Sequence, residues 1–460
     1  MAYSKIKIAM IGAGSVSFCP ATLGDIVKSE LLNSLPLEVV LMDIDAKALQ
    51  MSFQYGQRLV SKSKRMCNLS ATTNLEQALE GCDFVITAIE RSRYFYWSQD
   101  FHVPRKYGFR QIYGENGGPG GMFHYLRNIG PLLEISHVME RMCPDAFLIN
   151  YTNPEAKIVE TVLKLSKIRA VGVCHGYVEG VKQVARILER DPEELVTAAH
   201  GFNHFGFFTK VHDRETGEDL YPLLRLKEKE CHWLSDWDEL GLSRIMLRTF
   251  GLWPYPGANH IGEYLAWSDA YLASSKIQYF YDPVVDRPWK TGSVPSFVYN
   301  LSSNPTGIPL DHKDEQYVTR YENSFASKGD ADAVSGEYGI PIIEAIVFDL
   351  AREIPSLNVL NQSTMPGILQ NMCVEGPCRV DSNGIHPLET VALPTGVQAM
   401  INLQGAVHRL LIEALVENSR NKLLQALLID PTVATYNNAV ALIDEMFELQ
   451  KDVLPPLVWS

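Results

Sequence analysis

At 460 residues, with 46% hydrophobic and 21% charged side chains, the chain has ordinary globular composition and enough length to bury a large core in two lobes. A formal charge of −13 without any dense Lys/Arg run disfavours sequence-independent binding to nucleic acid or to an anionic membrane. No apolar run approaches the roughly 18 to 20 residues of a membrane span. The first eleven residues run straight into a strand pattern, without the apolar segment and small-residue cleavage site of a signal peptide. The eight cysteines are scattered, and a chain of this size needs no disulfide framework, so a reducing cytoplasm is the expected compartment.

Ile6 to Ile11 is a short apolar run that closes in Gly12-Ala13-Gly14-Ser15 and is followed by a helix-compatible segment from Pro20 to about Lys28. A second run, Leu37 to Met42, ends in Asp43-Ile44-Asp45. Strand, glycine turn, helix, strand and acid is the order of a dinucleotide-binding βαβ unit. Gly12 and Gly14 let the backbone approach a pyrophosphate, Ser15 and the helix N-terminus supply donors, and Asp43 accepts from ribose hydroxyls. The third glycine position is Ser17, which leaves a purely structural turn as the other reading. An acid rather than Arg at that strand end favours NAD over NADP.

The alternation continues with a helix from Lys47 to about Lys64, a strand Asn68 to Thr72, a short helix Leu75 to Leu79 and a strand Phe84 to Ile89. Glu90-Arg91-Ser92-Arg93-Tyr94 follows at a strand end, and a long connection leads to the glycine-dense stretch 114–121. That density predicts close ligand contact or a moving lid, the alternative being a flexible surface turn. A helix Met122 to Met142 and a strand Ala146 to Ile149 lead into Asn150-Tyr151-Thr152-Asn153-Pro154. A helix Ala156 to Leu165 and a strand Ala170 to Val173 lead into Cys174-His175-Gly176-Tyr177, and the run Val196 to Phe202 ends at Asn203-His204. The expected fold class is α/β. Residues 1–200 form an NAD-binding, Rossmann-like doubly wound sheet, and residues 201–460 an α+β domain for substrate and subunit contacts, in a lactate/malate dehydrogenase-like arrangement.

Beyond residue 200 the periodicity is mixed. Tyr255 to Tyr264 is a polar and aromatic island, 275–330 reads as irregular connection, and Cys373 to Val380, with the segment up to Val391, suggests strands. Gly396 to about Asn418 and Asn437 to Leu449 are amphipathic helices that serve either the core or a subunit interface. No internal repeat is present.

Three apolar runs thus end in clusters of polar and ligand-type side chains, where a parallel sheet presents residues to a small molecule. Cys174 and His204 terminate two of them, one strand-helix-strand turn apart. A thiolate and an imidazole are half of a tetrahedral site and leave positions for water or substrate oxygens; a buried Cys and a satisfied core His remain the alternative.

Ile-Gly-Ala-Gly-Ser at 11–15, Leu-Met-Asp-Ile-Asp at 41–45, Gly-Pro-Gly-Gly at 118–121, Asn-Tyr-Thr-Asn-Pro at 150–154, Cys-His-Gly at 174–176 and Asn-His at 203–204 together resemble glycoside hydrolase family 4. The resemblance implies an NAD- and divalent-metal-dependent glycosidase, with Cys174 and His204 holding the metal, usually Mn²⁺. It implies oxidation at C3 of the sugar, removal of the C2 proton, elimination of the aglycone, addition of water and re-reduction, so that NAD is regenerated each turn. His175 is the implied leaving-group acid, and Asn153 the implied contact to sugar hydroxyls. For the base, the family uses a Tyr or an Asp in the segment matching 255–264. Here Ala258 and Asn259 stand about where the acid would lie, leaving Tyr255, His260 and Tyr264 as candidates.

Cys-His-Gly followed by an aromatic looks like the α-glucuronidase group, while the overall scaffold also resembles α-galactosidases, and α-galacturonidase is the other uronide reading. Arg91 or Arg93 could pair with a C6 carboxylate. The resemblance further suggests a homodimer or homotetramer. Two other classes fit the Rossmann half: a hydroxyacid or sugar dehydrogenase, which would accumulate NADH, and a non-catalytic NAD-dependent sensor.

Overall fold

The computed structural model describes residues 3–268, apart from 17, 64, 66, 111, 231 and 232, and residues 335–459, apart from 389 and 391. Between these it describes only β10 (Ser293–Val294) and β11 (Ile308–Pro309), which pair with each other. Ser17, and the irregular connection expected over 275–330 apart from that strand pair, lie outside the described residues.

Six segments of the first half become parallel strands: β1 (Ile6–Ile11), β2 (Leu37–Met42), β3 (Cys67–Thr72), β4 (Phe84–Thr87), β5 (Phe147–Asn150) and β6 (Arg169–Gly172). Their spatial order is β3-β2-β1-β4-β5-β6, the doubly wound arrangement whose direction reverses beside β1. The central strands are apolar throughout because both faces of the sheet are covered. Pairing places Ile11 beside Thr87, Thr87 beside Asn150 and Asn150 beside Gly172. The strands therefore end level, and the segments that follow them all leave from one edge.

The sheet does not stop at β6. It continues antiparallel through β12 (Arg352–Leu360), β13 (Cys373–Asp381), β7 (Leu195–Phe202), β8 (Phe205–Asp213) and β9 (Trp253–Pro254), with β14 (Gly384–Pro387) on β13, making twelve strands in one sheet. The join is a single bridge between Asn358 and Gly172. One face is covered by α5 (Gly118–Met142) and by the helices Thr395–Val416, Arg420–Ile429 and Tyr436–Leu449; Val407, Leu411, Leu442, Ile443 and Met446 share a core with Val85, Leu126 and Leu148. The two long C-terminal amphipathic helices thus bury their apolar stripes in the chain's own core. The other face carries α1 (Phe18–Lys28), α2 (Ala46–Ser63) and the helix Gly339–Phe348, through Leu23, Ile26, Leu49, Ile342 and Ile343. Among the described residues no helix is long and apolar enough to cross a membrane.

The structure corrects two local expectations, on the connection after β4 and on the glycine-dense stretch, and adds a strand, β12, that the sequence does not announce. The long connection after β4 is largely the helix α4 (Arg93–Lys106), with Trp97, Gln99, Asp100, Phe101, His102 and Val103 all buried. Burial at consecutive positions erases the 3.6-residue periodicity that marks a surface helix. Its charge is neutralised internally, the Arg127 guanidinium donating to both oxygens of Asp100 at 3.2 and 2.7 Å. Strand β12 carries Pro355, which argues against a strand, and its pairing with β13 shifts register between Ile354 and Leu357, a bulge that accommodates the missing donor. The glycine-dense stretch is neither an exposed turn nor an exposed lid, since residues 112–121 are all buried. A Cβ at Gly117 would lie 2.7 Å from the Cβ of Glu263, so this position is glycine for close packing.

Candidate active site

The β1–α1 turn is built for close backbone approach. Gly12 has φ +86°, and a Cβ there would lie 2.2 Å from the carbonyl oxygen of Ala88. Asp43 at the end of β2 accepts from the Gly14 amide at 2.7 Å and from the Asp45 amide at 2.9 Å, so it fixes the turn. Ser15 Oγ accepts from the Phe18 amide at 3.1 Å and so caps α1. Gly12→Ala is expected to cost about 2–4 kcal/mol of stability, because strain at positive φ adds to a clash with main chain. A urea midpoint unchanged from wild type would contradict this tight-turn account.

The β6 edge opens into Cys174, His175 and α7 (Gly176–Leu188). Cys174 Sγ faces His204 Nε2 at 3.0 Å, and the Gly176 amide donates to the same sulfur at 3.3 Å. Burial holds the His204 imidazole well below its ordinary pKa, with the nearby His260 and Lys157 acting in the same direction. Burial, with the carboxyl groups of Glu155 and Glu375, pushes the Cys174 thiol well up. His204 Nδ1 and the neighbouring Asn203 Oδ1 are buried without hydrogen-bond partners. The His260 ring lies 4.3 Å from that of His204, tilted 31°. Among the described residues no three His, Cys, Asp or Glu side chains converge as metal ligands, so the protein offers a two-donor site here.

His175 is partly exposed. Its Nε2 is 2.9 Å from Glu179 Oε1 and its Nδ1 3.3 Å from Glu337 Oε1, and the hydrogen bond to Glu337 leads in raising its pKa. Tyr177 turns inward: it is 3% exposed, and its hydroxyl pairs with Thr197 Oγ1 on β7. Tyr255 is also buried, donating its hydroxyl to Glu375. Tyr264 stands edge-on to Phe202 and Phe205, its hydroxyl enclosed.

A second polar cluster surrounds Asn153. Arg93 donates to Glu90 Oε2 at 2.5 Å and to Glu115 Oε1 at 2.6 Å, and stacks on Trp97 at 4.9 Å. Arg93, expected to receive a substrate carboxylate, is thus already held by two protein carboxylates, whereas Arg91 stands exposed at the same strand end. Glu115 is buried, which alone would raise its pKa, but Arg93, His260 and His124 bring it below the ordinary carboxylate value. Asn153 Nδ2 is 3.5 Å from Glu115 Oε1, and His260 Nδ1 3.8 Å from Glu115 Oε2. Cys174, His204, His260, Glu115 and Asn153 therefore form one connected group at the sheet edge.

Several residues of the site were not singled out in the sequence. Glu375 on β13 accepts from Tyr255, Ser356 and Asn203; Glu155 accepts from Asn358 at 2.8 Å. Glu263 accepts from the amides of Glu115 at 2.7 Å and Asn116 at 3.1 Å. Lys157, buried, donates to the Asn116 carbonyl at 2.5 Å, and burial lowers its pKa to about 8. The available signal was a charged residue inside an otherwise apolar run, which marks burial without naming a partner.

Fold and site define an α/β protein of the doubly wound class, with a thiol–imidazole pair at the carboxyl ends of its strands beside a nucleotide-type glycine turn. Two family models match the chain, family 4 glycosyl hydrolase over residues 7–190 and the family 4 glycosyl hydrolase C-terminal domain over residues 199–433. The chain belongs to family 4 of the glycosyl hydrolases. It is 29% identical to an α-glucosidase of Erwinia rhapontici, over 96% of each chain. It is 27% identical to an α-galacturonidase of Thermoanaerobacter italicus, over 98% of this chain and 97% of that one. In fold it is similar to a 6-phospho-α-glucosidase from gut microorganisms, solved in complex with NAD and Mn²⁺, with TM-score 0.79, 24% identity, and 99% and 100% of the two chains covered.

Proposed function

We propose that the protein hydrolyses α-glycosides by NAD-dependent oxidation and elimination at a metal site made by Cys174 and His204. The observation that carries this reading is the 3.0 Å approach of Cys174 Sγ to His204 Nε2, at the edge from which the Gly12 turn also departs. The donor set fits a divalent ion. His204 is held neutral, as a ligand must be, and a thiol that burial keeps protonated becomes a thiolate only beside a cation. Two protein donors leave room for two vicinal sugar oxygens. Gly12, Gly14, Ser15 and Asp43 fit NAD.

When bound, NAD⁺ and an ion such as Mn²⁺ supply a hydride acceptor for C3 and a Lewis acid for the C2 and C3 oxygens. His175 donates the proton to the leaving oxygen, since its two carboxylate neighbours, Glu337 first, favour its protonated form. His260 accepts the C2 proton: burial leads in lowering its pKa, and its Nδ1 has no hydrogen-bond partner. Tyr255 is less suited, its hydroxyl being donated to Glu375. Asn153 binds sugar hydroxyls.

The sugar is an α-uronide, in our reading an α-glucuronide, on the strength of Cys174-His175-Gly176-Tyr177 and of Arg91 at the β4 edge. Pairing of Arg93 with both Glu90 and Glu115 supports a second reading, a neutral α-hexoside such as a galactoside, because it leaves net negative charge beside Asn153. Aryl α-glycosides assayed with NAD⁺, Mn²⁺ and thiol separate the two. The expected result is a kcat/KM at least about tenfold higher for the uronide, roughly 1.4 kcal/mol of discrimination; the reverse order supports the neutral reading. In D₂O the released sugar should carry deuterium at C2. Undeuterated product would overturn the elimination route, and net NADH accumulation would instead indicate a dehydrogenase.

A further inference from the structure

Glu375 belongs to none of the motifs, yet it ties together the segments that carry the thiol–imidazole site. It sits on β13 directly opposite Gly201 of β7, and its side chain is 1% exposed. Oε2 accepts from Asn203 Nδ2 at 3.2 Å and from the Tyr255 hydroxyl, while Oε1 accepts from Ser356 Oγ on β12. Asn203 precedes His204 in the turn between β7 and β8, and Tyr255 follows β9, which pairs with β8 through Phe207 and Phe208. One carboxylate thus fixes the turn that presents His204 and the ring that lies under Gly176: a Cβ on Gly176 would be 3.8 Å from Tyr255 Cε2 and 3.4 Å from Cys174 Sγ. A buried acceptor with three donors converging on it cannot be replaced by solvent.

We infer that Glu375 is a positioning residue for the Cys174–His204 pair, holding His204 through Asn203 and Tyr255 in the orientation that binds a divalent cation. The inference rests on the metal reading proposed above. Its geometry resembles the supporting shell of established metal sites, where carboxylates orient ligands they do not join and where loss of such a residue costs about 10–100-fold in metal affinity or activity.

The test is Co²⁺ titration of the intact protein, followed by the thiolate-to-cobalt charge-transfer absorption, with NAD affinity and thermal midpoint measured in parallel. Wild type is expected to show the band and Cys174→Ser to lack it. Glu375→Leu, which removes every acceptor, should weaken Co²⁺ about 30-fold or more. Glu375→Gln keeps one carbonyl oxygen for Asn203 and Tyr255 while its amide can donate to Ser356, so it should weaken Co²⁺ less, by about five- to tenfold, and it carries the test where the Leu variant fails to fold. NAD affinity should stay within about twofold of wild type in both variants. A wild-type band with unchanged Co²⁺ affinity in the Gln and Leu variants overturns the positioning role and leaves the metal reading standing. A lowered thermal midpoint alone assigns Glu375 to folding and overturns it equally. Absence of the band in wild type overturns the metal reading and this inference with it.

Discussion

Cys174→Ser is expected to abolish glycoside cleavage, with kcat/KM down by at least about a thousandfold, roughly 4 kcal/mol of transition-state stabilisation. NAD affinity should remain within about twofold of wild type. The asymmetry follows from placement. Cys174 terminates β6, three strands away from β1, whose turn carries Gly12 and Gly14, so loss of the sulfur leaves the nucleotide turn untouched. The sulfur lies 3.0 Å from His204 Nε2, and a hydroxyl, which ionises far less readily than a thiol, cannot supply the anionic donor that a divalent ion needs. Activity and fluorescence titration of NAD on the same preparation make the comparison. Cleavage retained within tenfold would remove Cys174 from the chemistry, and a parallel loss of NAD binding would point to collapse of the sheet edge.

The parts of this site that were legible in the sequence are those whose meaning is local. Asn153, Cys174 and His204 each end an apolar run, and because the strands finish level, as Ile11, Thr87, Asn150 and Gly172 do, residues that share a sequence context share an edge in space. What stayed hidden depends on partners distant in the chain. Glu375 meets Tyr255 across 120 residues and Asn203 across 172, and Glu263 meets Glu115 across 148. A lone carboxylate in an apolar stretch does not say which donors will reach it. Helix α4 was obscured for a different reason, since its Trp97, Phe101 and Val103 are buried on the same helix as Asp100 and His102, and amphipathic periodicity needs a wet face. Arg93 stands in the sequence at a strand end, where it could pair with a C6 carboxylate. The carboxylates that hold it, Glu90 and Glu115, lie three and 22 residues away, and nothing in the sequence shows that the second folds back onto it.

Replacing Glu263 should be the most damaging single change outside the thiol–imidazole pair. Its side chain is buried, and the carboxyl group accepts from the amides of Glu115 and Asn116 at the turn into α5, while Lys157 donates to the Asn116 carbonyl. Glu263→Ala leaves buried amides without acceptors, each costing about 1–3 kcal/mol, so a loss of about 3–5 kcal/mol is expected in urea unfolding. That is a large fraction of an ordinary domain's stability. Glu115, the residue so held, touches Arg93 and Asn153 and faces His260, so the surviving folded fraction should bind sugar poorly as well.

The same residue gives stability a pH dependence of defined sign. Burial, reinforced by the charge of Glu115, pushes Glu263 up to about 8 from an ordinary 4.5. The folded state therefore binds the proton more tightly than the unfolded chain, and the contribution is fully present below the unfolded value and lost as pH rises through about 8. At about 1.4 kcal/mol per unit of raise, wild type should lose a few kcal/mol relative to Glu263→Gln between pH 5 and pH 9, since the amide cannot ionise. The measurement is the difference between the two unfolding free energies across that range. A difference that does not change with pH would mean that the backbone amides hold Glu263 as a carboxylate throughout, and that the clamp on the glycine turn is ionic.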